Sequence, residues 1–282
     1  MKLAVVSHCA IDTITIDGNN YEQIGGAASY CGITARQFKF DVDLFTKFGP
    51  DFPKQYLTEH KINFTNSESE KNTTKFTISI TGSERTLKLE NECDPIDYSG
   101  INADGHIVSP IYHELSEDTF KKIKDDSNFL FVDPQGFVRQ KDSQNNIFLK
   151  NTNLDLSDIN AIKVNPDEAK HLVSGTHDEM MLALQKKGIE YVLLTNKTDV
   201  SLLVKDRYIL LHFQIAKFMT PLVLVIFFVL HLAARCLKKR TFCGHFLLLA
   251  EQLKLHLNPK MWVCKKFQAG VLSRPTHLIF II

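Results

Sequence analysis

The stretch AIKVNPDEAKHLVSG, residues 161–175, sets an apolar run directly against a helix start. AIKVN has the length and apolar content of a short buried strand. Pro166 stands at the first helical turn, the acids Asp167 and Glu168 follow where the helix dipole favours them, and Gly175 closes as a C-cap. The stretch therefore predicts a strand feeding a helix over 166–175. The same grammar recurs on both sides. LAVVS (3–7), DVDLFTKFG (41–49), FLFVDP (129–134) and YVLLTN (191–196) are further strand runs with helical segments between them. Strands spaced by helices imply a mostly parallel sheet with helices on both faces, in an α/β domain. Ligands in such sheets bind at the carboxyl ends of the strands.

Two stretches break the rhythm. FTISITGSERTLKLE (76–90) alternates at period two around a TGSE turn, which predicts a β-hairpin. Residues 10–16, AIDTITI, alternate as well, so the two can form a small separate sheet, either a flap over a ligand or an ordinary edge. IGGAASYCGITARQF (24–38) runs a Gly-Gly pair into a helix of small residues. That pattern serves either close backbone approach to a ligand at a helix N-terminus or tight packing of the helix on the sheet.

The chain has 282 residues and a formal charge of +1, so nothing suggests nucleic acid as a partner. The N-terminus turns polar too soon for a signal peptide, and the six cysteines show neither a CxxC pair nor zinc spacing. A cytoplasmic protein with free thiols is expected. The average charge hides a break. From Met219 onward, Glu251 is the only acidic residue against nine basic ones, so an acidic body precedes a basic, Leu-rich tail.

AID (10–12), GGAASYCG (25–32), LFTKFGPDF (44–52), FVDPQGFVR (131–139), KVNPDEA (163–169) and VLLTN (192–196) lie in one order across three-quarters of the chain. In that order they resemble the ribokinase-like (pfkB) carbohydrate kinases, nearest in pattern to the inositol and nucleoside kinase branches. The resemblance implies a three-layer αβα domain over 1–218, with a small β lid drawn from parts of 10–16 and 76–90. It implies ATP-dependent phosphorylation of a sugar, inositol or nucleoside hydroxyl, with Mg2+ and a small-molecule substrate, and possible pairing of two copies through the lid. Asp12 would accept hydrogen bonds from substrate hydroxyls, and Gly25 and Gly26 would bring backbone to the same substrate. Asn165 and Glu168 match the family's Asn-x-x-Glu, which places magnesium and phosphate through water, and Thr195 would lie near the nucleotide phosphates. Taken singly, Asp12 is equally a turn residue and Glu168 a first-turn helix acid. Tyr30 stands where the family often has Asn, and TNKTDV (195–200) lacks both glycines of the usual nucleotide-side loop.

The family's catalytic Asp-Thr-x-Gly-x-Gly-Asp, which opens a helix and supplies the general base and an anion hole, is absent. TPLVLVIFF (220–228) stands in its place. The genetic code accounts for this. Read from the third base of the Met219 codon, the next triplet is GAC, and the following codons permit D-S-T-G-I-G-D-I-F. Residues 219–282 are therefore expected to be an out-of-frame tail, leaving the C-terminal part of the fold missing or aberrant and catalysis impaired. The rival is a membrane anchor over 219–234 on a non-catalytic sugar- or nucleoside-binding protein. That stretch is 16 residues, about 24 Å as a helix against a hydrocarbon core of about 30 Å, and it contains Pro221 and His231.

Overall fold

The computed structural model describes residues 1–204, apart from 17, 38, 83, 197 and 198, together with 207–212 and 278–281. The chain opens with β1 (Lys2–Val6), β2 (Ala10–Ile16), β3 (Asn19–Gly25), α1 (Ala27–Gln37) and β4 (Asp41–Phe45). It continues through α2 (Gln55–Glu59), β5 (Asn63–Phe64), β6 (Thr74–Thr81), β7 (Glu84–Asn91) and β8 (Gly105–Val108). Next come α3 (Glu117–Asp126), β9 (Leu130–Val132), α4 (Gln135–Val138), β10 (Arg139–Lys141) and β11 (Ile147–Leu149). The rest is β12 (Ala161–Val164), α5 (Pro166–Lys170), α6 (His177–Lys186), β13 (Tyr191–Asn196), β14 (Asp199–Val204), β15 (Arg207–His212) and β16 (Leu278–Ile281).

The main sheet runs β16-β15-β14-β13-β12-β9-β8-β1-β4-β5. From β13 to β5 every neighbouring pair is parallel, whereas β13, β14 and β15 form an antiparallel meander. Strand alternation sorts the core onto two faces. Leu3, Val5, Ile107, Phe131, Ala161 and Leu193 pack on one face with Ala28, Cys31 and Ala35 of α1. Val6, Val108, Leu130, Ile162, Val164, Val192 and Leu194 pack on the other, against Ile123 of α3, Ala169 of α5 and Met180, Met181 and Leu184 of α6. Helices thus cover both faces, as strands with near-continuous apolar runs require. The small residues of α1 let that helix lie close on its face.

A second sheet, β3-β2-β6-β7, stands apart and contains both segments expected to form the lid. β2 pairs parallel with β6 and antiparallel with β3. β3 was not legible, because Asn19 to Gln23 are all exposed and carry no alternation. The helix expected over 166–175 stops at Lys170. His171 caps it, and Leu172 and Val173 turn in against the core instead. At the far edge, β16 pairs parallel with β15, so four residues of the basic tail join the sheet. The remaining tail, including 219–234, lies outside the described residues. Among the described residues no helix is long and apolar enough to cross a membrane.

Candidate functional site

A cavity of about 490 Å³ opens between the lid sheet and the carboxyl ends of the parallel strands. Asp12, Gly26, Asn165 and Thr195 line it, while Gly25 and Glu168 stand just behind the lining. Asp12 sits mid-strand in β2, opposite Gln23 of β3 and Phe76 of β6. Its Oδ1 is buried with no hydrogen-bond partner. Burial pushes its carboxyl up to about 6, against the pull of Arg139 and Arg85. A buried acceptor without a partner is costly and rare in folded proteins, and here its residue lines a cavity.

The two glycines serve this carboxylate differently. A Cβ on Gly25 would lie 2.0 Å from Asp12 Oδ2, so Gly25 clears the space that the carboxylate fills. Gly26 has φ +83°, and a Cβ there would lie 2.4 Å from the His8 carbonyl oxygen and 2.8 Å from the Ala10 nitrogen. Gly25→Ala is therefore expected to fold but turn Asp12 aside, removing ligand binding with little change in stability. Gly26→Ala must strain backbone on both counts, at about 2–4 kcal/mol. Thermal melts and ligand titrations of the two variants check this, and equal stability losses would contradict it.

At the strand ends, Asn165 and Glu168 form a capping box on α5. Asn165 Oδ1 accepts from Glu168 N at 2.8 Å, and Glu168 Oε2 accepts from Asn165 N at 2.8 Å. Glu168 Oε2 also lies 3.5 Å from Lys163 Nζ, which is 3.2 Å from Asp133 Oδ2. Lys163 is in β12 on the α1 face, where alternation turns it away from Ile162 and Val164 and into the cavity wall. Burial works to lower its ammonium, but Asp133 and Glu168 outweigh this and hold it raised. Burial and neighbouring Glu168 raise the Asp133 carboxyl, opposed by Lys163. Thr195 donates to the Val164 carbonyl at 3.5 Å.

The donor set does not offer magnesium a ready carboxylate. Glu168 Oε2 is already taken by two N–H groups, and no group of three or more His, Cys, Asp or Glu could hold a metal among the described residues. Direct coordination at this end does not fit. The Asn165 side-chain oxygen is taken by Glu168 N, and the residue lines the cavity.

The motifs by themselves assign no role to Asp133, Gln135, Arg139, Lys163 or Arg85. Arg139 Nη1 donates to the Ile111 carbonyl at 2.9 Å, and its guanidinium lies 5.6 Å from the Phe76 ring centre. The available signal was a charge inside a buried strand, as in AIKVN, which seldom occurs without a partner. Tyr30 fills the wall beside Asp12, with its hydroxyl donating to the Ile24 carbonyl at 3.0 Å.

No protein-family model matches the chain, and no curated protein sequence matches it significantly. Solved structures do match. A pyrophosphate-dependent kinase in the ribokinase family, complexed with a pyrophosphate analog and myo-inositol, is 19% identical, with 85% of this chain and 89% of that chain covered and a TM-score of 0.74. The ribokinase of Arabidopsis thaliana, complexed with ribose and ATP, is 12% identical, covering 82% and 86% at a TM-score of 0.58. The nucleoside kinase of Methanocaldococcus jannaschii is 16% identical, covering 85% and 86% at a TM-score of 0.57. The chain has the ribokinase-like (pfkB) fold, an α/β sandwich with a β lid.

Proposed function

We propose that this chain is built to bind a polyol, a sugar, an inositol or a nucleoside, under its lid and to phosphorylate one hydroxyl from ATP, with magnesium. The observation that carries this reading is Asp12, a buried carboxylate with an orphaned oxygen in the wall of the cavity beneath the lid. A carboxylate accepts from two hydroxyls at once, so vicinal hydroxyls satisfy it where a single donor would not. Across the cavity, the Asn165 amide and Thr195 offer polar groups to phosphate oxygens at the strand ends. Magnesium would arrive with the donor phosphates and keep its waters, held by no carboxylate at this end. The likeness to kinases complexed with ribose and ATP, or with myo-inositol, supports the substrate class. Ile16 and Tyr21, large and exposed on the lid, suit pairing of two copies.

The chain as written lacks the Asp-Thr-x-Gly-x-Gly-Asp that would supply the base. Full-length protein with ATP, magnesium and a panel of polyols and nucleosides should bind ligand but turn over little. Loss of a general base alone removes about 10²–10⁴ in rate, and loss of anion-hole donors about as much again. DNA and transcript resequenced across codons 205–225 should reveal the slipped base, and the restored frame should recover turnover. Turnover by the present chain at ordinary kinase rates would refute the impairment, and absence of ligand binding by either chain would refute the polyol site.

A further inference from the structure

We propose that His8 is a positioning residue of the polyol site, the pin that sets the lid sheet, and with it Asp12, over the strand ends of the body. This rests on the polyol-site reading above. Between β1 and β8 the chain passes between the two sheets four times: from β1 into β2, from β3 into α1, from β5 into β6 and from β7 toward β8. His8 is buried and meets every one of these passages. It lies within the first. At the second, a Cβ on Gly26 would come 2.4 Å from the His8 carbonyl oxygen. At the third, His8 Nδ1 lies 2.9 Å from Thr74 Oγ1, and at the fourth His8 Nε2 lies 2.8 Å from the Asp94 carbonyl oxygen. The backbone anchors the pin to the body. His8 N donates to Glu114 Oε1 at 3.1 Å, and Glu114 also accepts from Ile111 N and Tyr112 N at 2.7 Å each.

The hydrogen-bond order is fixed by chemistry. The Asp94 carbonyl can only accept, so Nε2 carries the ring hydrogen and Nδ1 accepts from the Thr74 hydroxyl. Thr74 Oγ1 accepts in turn from Cys93 N at 3.1 Å. Burial lowers the imidazole below its ordinary value, against the pull of Glu114, Asp94 and Glu92, and the neutral ring is the form this order needs. The Asp94 carboxylate is itself held, by Lys71 at 2.7 Å and by Ser69 Oγ at 2.6 Å. Ala10, two residues before Asp12, pairs with both Gly25 and Thr74. The base of the lid that His8 ties together is therefore the base from which Asp12 is placed. A histidine that only filled the core would need two partners from anywhere; these partners come from separate crossings of one hinge.

The test is calorimetric titration of the full chain with D-ribose, myo-inositol and adenosine, and separately with inorganic pyrophosphate, well below the melting midpoint of each protein. Without the pin, the lid posture that binds becomes one of several, and a competent fraction of about 1–10% lowers apparent affinity about 10- to 100-fold. His8→Ala should show that loss for whichever of the three the wild type binds, and should leave pyrophosphate, which meets the body, unchanged. His8→Gln, whose amide can still donate to the Asp94 carbonyl, should recover most of the loss. Thr74→Val cuts only the Nδ1 link and decides the matter if His8→Ala does not fold: it should weaken the same ligand and spare pyrophosphate. Affinities for both ligands that fall together mean a general loss of fold and overturn the inference. Unchanged affinity in His8→Ala and Thr74→Val overturns it too, as does a Gln variant no better than Ala, and all three leave the polyol site standing. A wild type that binds none of the three removes the parent reading and this one together.

Discussion

Asp12→Asn should make the protein more stable and unable to hold its ligand. The wild-type carboxyl titrates at about 6, raised chiefly by burial, while an ordinary aspartate loses its proton near 3.8. The folded state therefore binds a proton more tightly than the unfolded chain. By linkage, the ionised form carries a penalty that is absent below the unfolded value, grows as pH rises between the two values, and is complete above about 6. A shift of this size corresponds to at most about 3 kcal/mol, reduced by whatever solvent reaches the carboxylate through the cavity. Asparagine has the shape without the charge, so the gain should appear above pH 6 and vanish near pH 4. Urea unfolding of both proteins at pH 4.5 and 7.5 measures it, and a variant less stable than wild type at pH 7.5 would contradict the account. Polyol binding by the wild type should weaken as pH falls through about 6, because the protonated carboxyl loses acceptor capacity. A stability gain bought by loss of binding is the mark of a residue kept for its ligand.

The three-layer architecture was legible because its central strands are buried on both faces. LAVVS, FLFVDP, AIKVN and YVLLTN need apolar residues at every step, and that leaves runs no surface segment imitates. The lid hairpin was legible for the opposite reason, since one face is wet and the alternation shows. β3 carries neither signal. Its residues face water, and it is a strand because β2 offers it a partner edge, which is a tertiary fact. The sequence over-extends the helix at 166–175 because the apolar Leu172 and Val173 fit a helical pattern while their burial is decided by the core beneath them.

The site was legible where chemistry needs a rare residue type. Asp12 in an alternating strand and Gly25-Gly26 before a helix stand out, and Asp12 and Gly26 line one cavity. The resemblance points Asn165 and Glu168 toward magnesium and phosphate, and the same side chains also close a helix N-terminus. Both patterns share the spacing Asn-x-x-Glu, so spacing alone could not separate them. Arg139 and Arg85 do not stand out, because arginine at a strand edge or in a hairpin reads as an ordinary surface charge. Only the fold brings them to the same cavity as Asp12.

Lys163→Met should be the most damaging single change in the body of the protein. Among the described residues Lys163 alone is ion-paired with Asp133 and Glu168, and all three are almost wholly buried. Its removal leaves two carboxylates together in a low-dielectric wall, and breaking a buried pair in this way typically costs about 3–5 kcal/mol. The loss should depend on pH with a definite sign. Burial already raises the Asp133 carboxyl, and without Lys163 the opposing pull is gone, so the folded variant takes up a proton more readily. A proton bound more tightly by the folded state stabilises it at low pH, so the deficit should be smallest near pH 5 and largest near pH 8. Adding Asp133→Asn to Lys163→Met removes one of the stranded charges and should recover part of the stability at pH 8, with little further effect at pH 5. Chemical unfolding of the three proteins at both pH values decides it. A Lys163→Met deficit that does not change with pH would mean that lost packing, not stranded charge, is the cause. Lys163 lines the cavity beside Asn165, whose side chain Glu168 N holds, so a variant that folds should also lose phosphate binding at the strand ends.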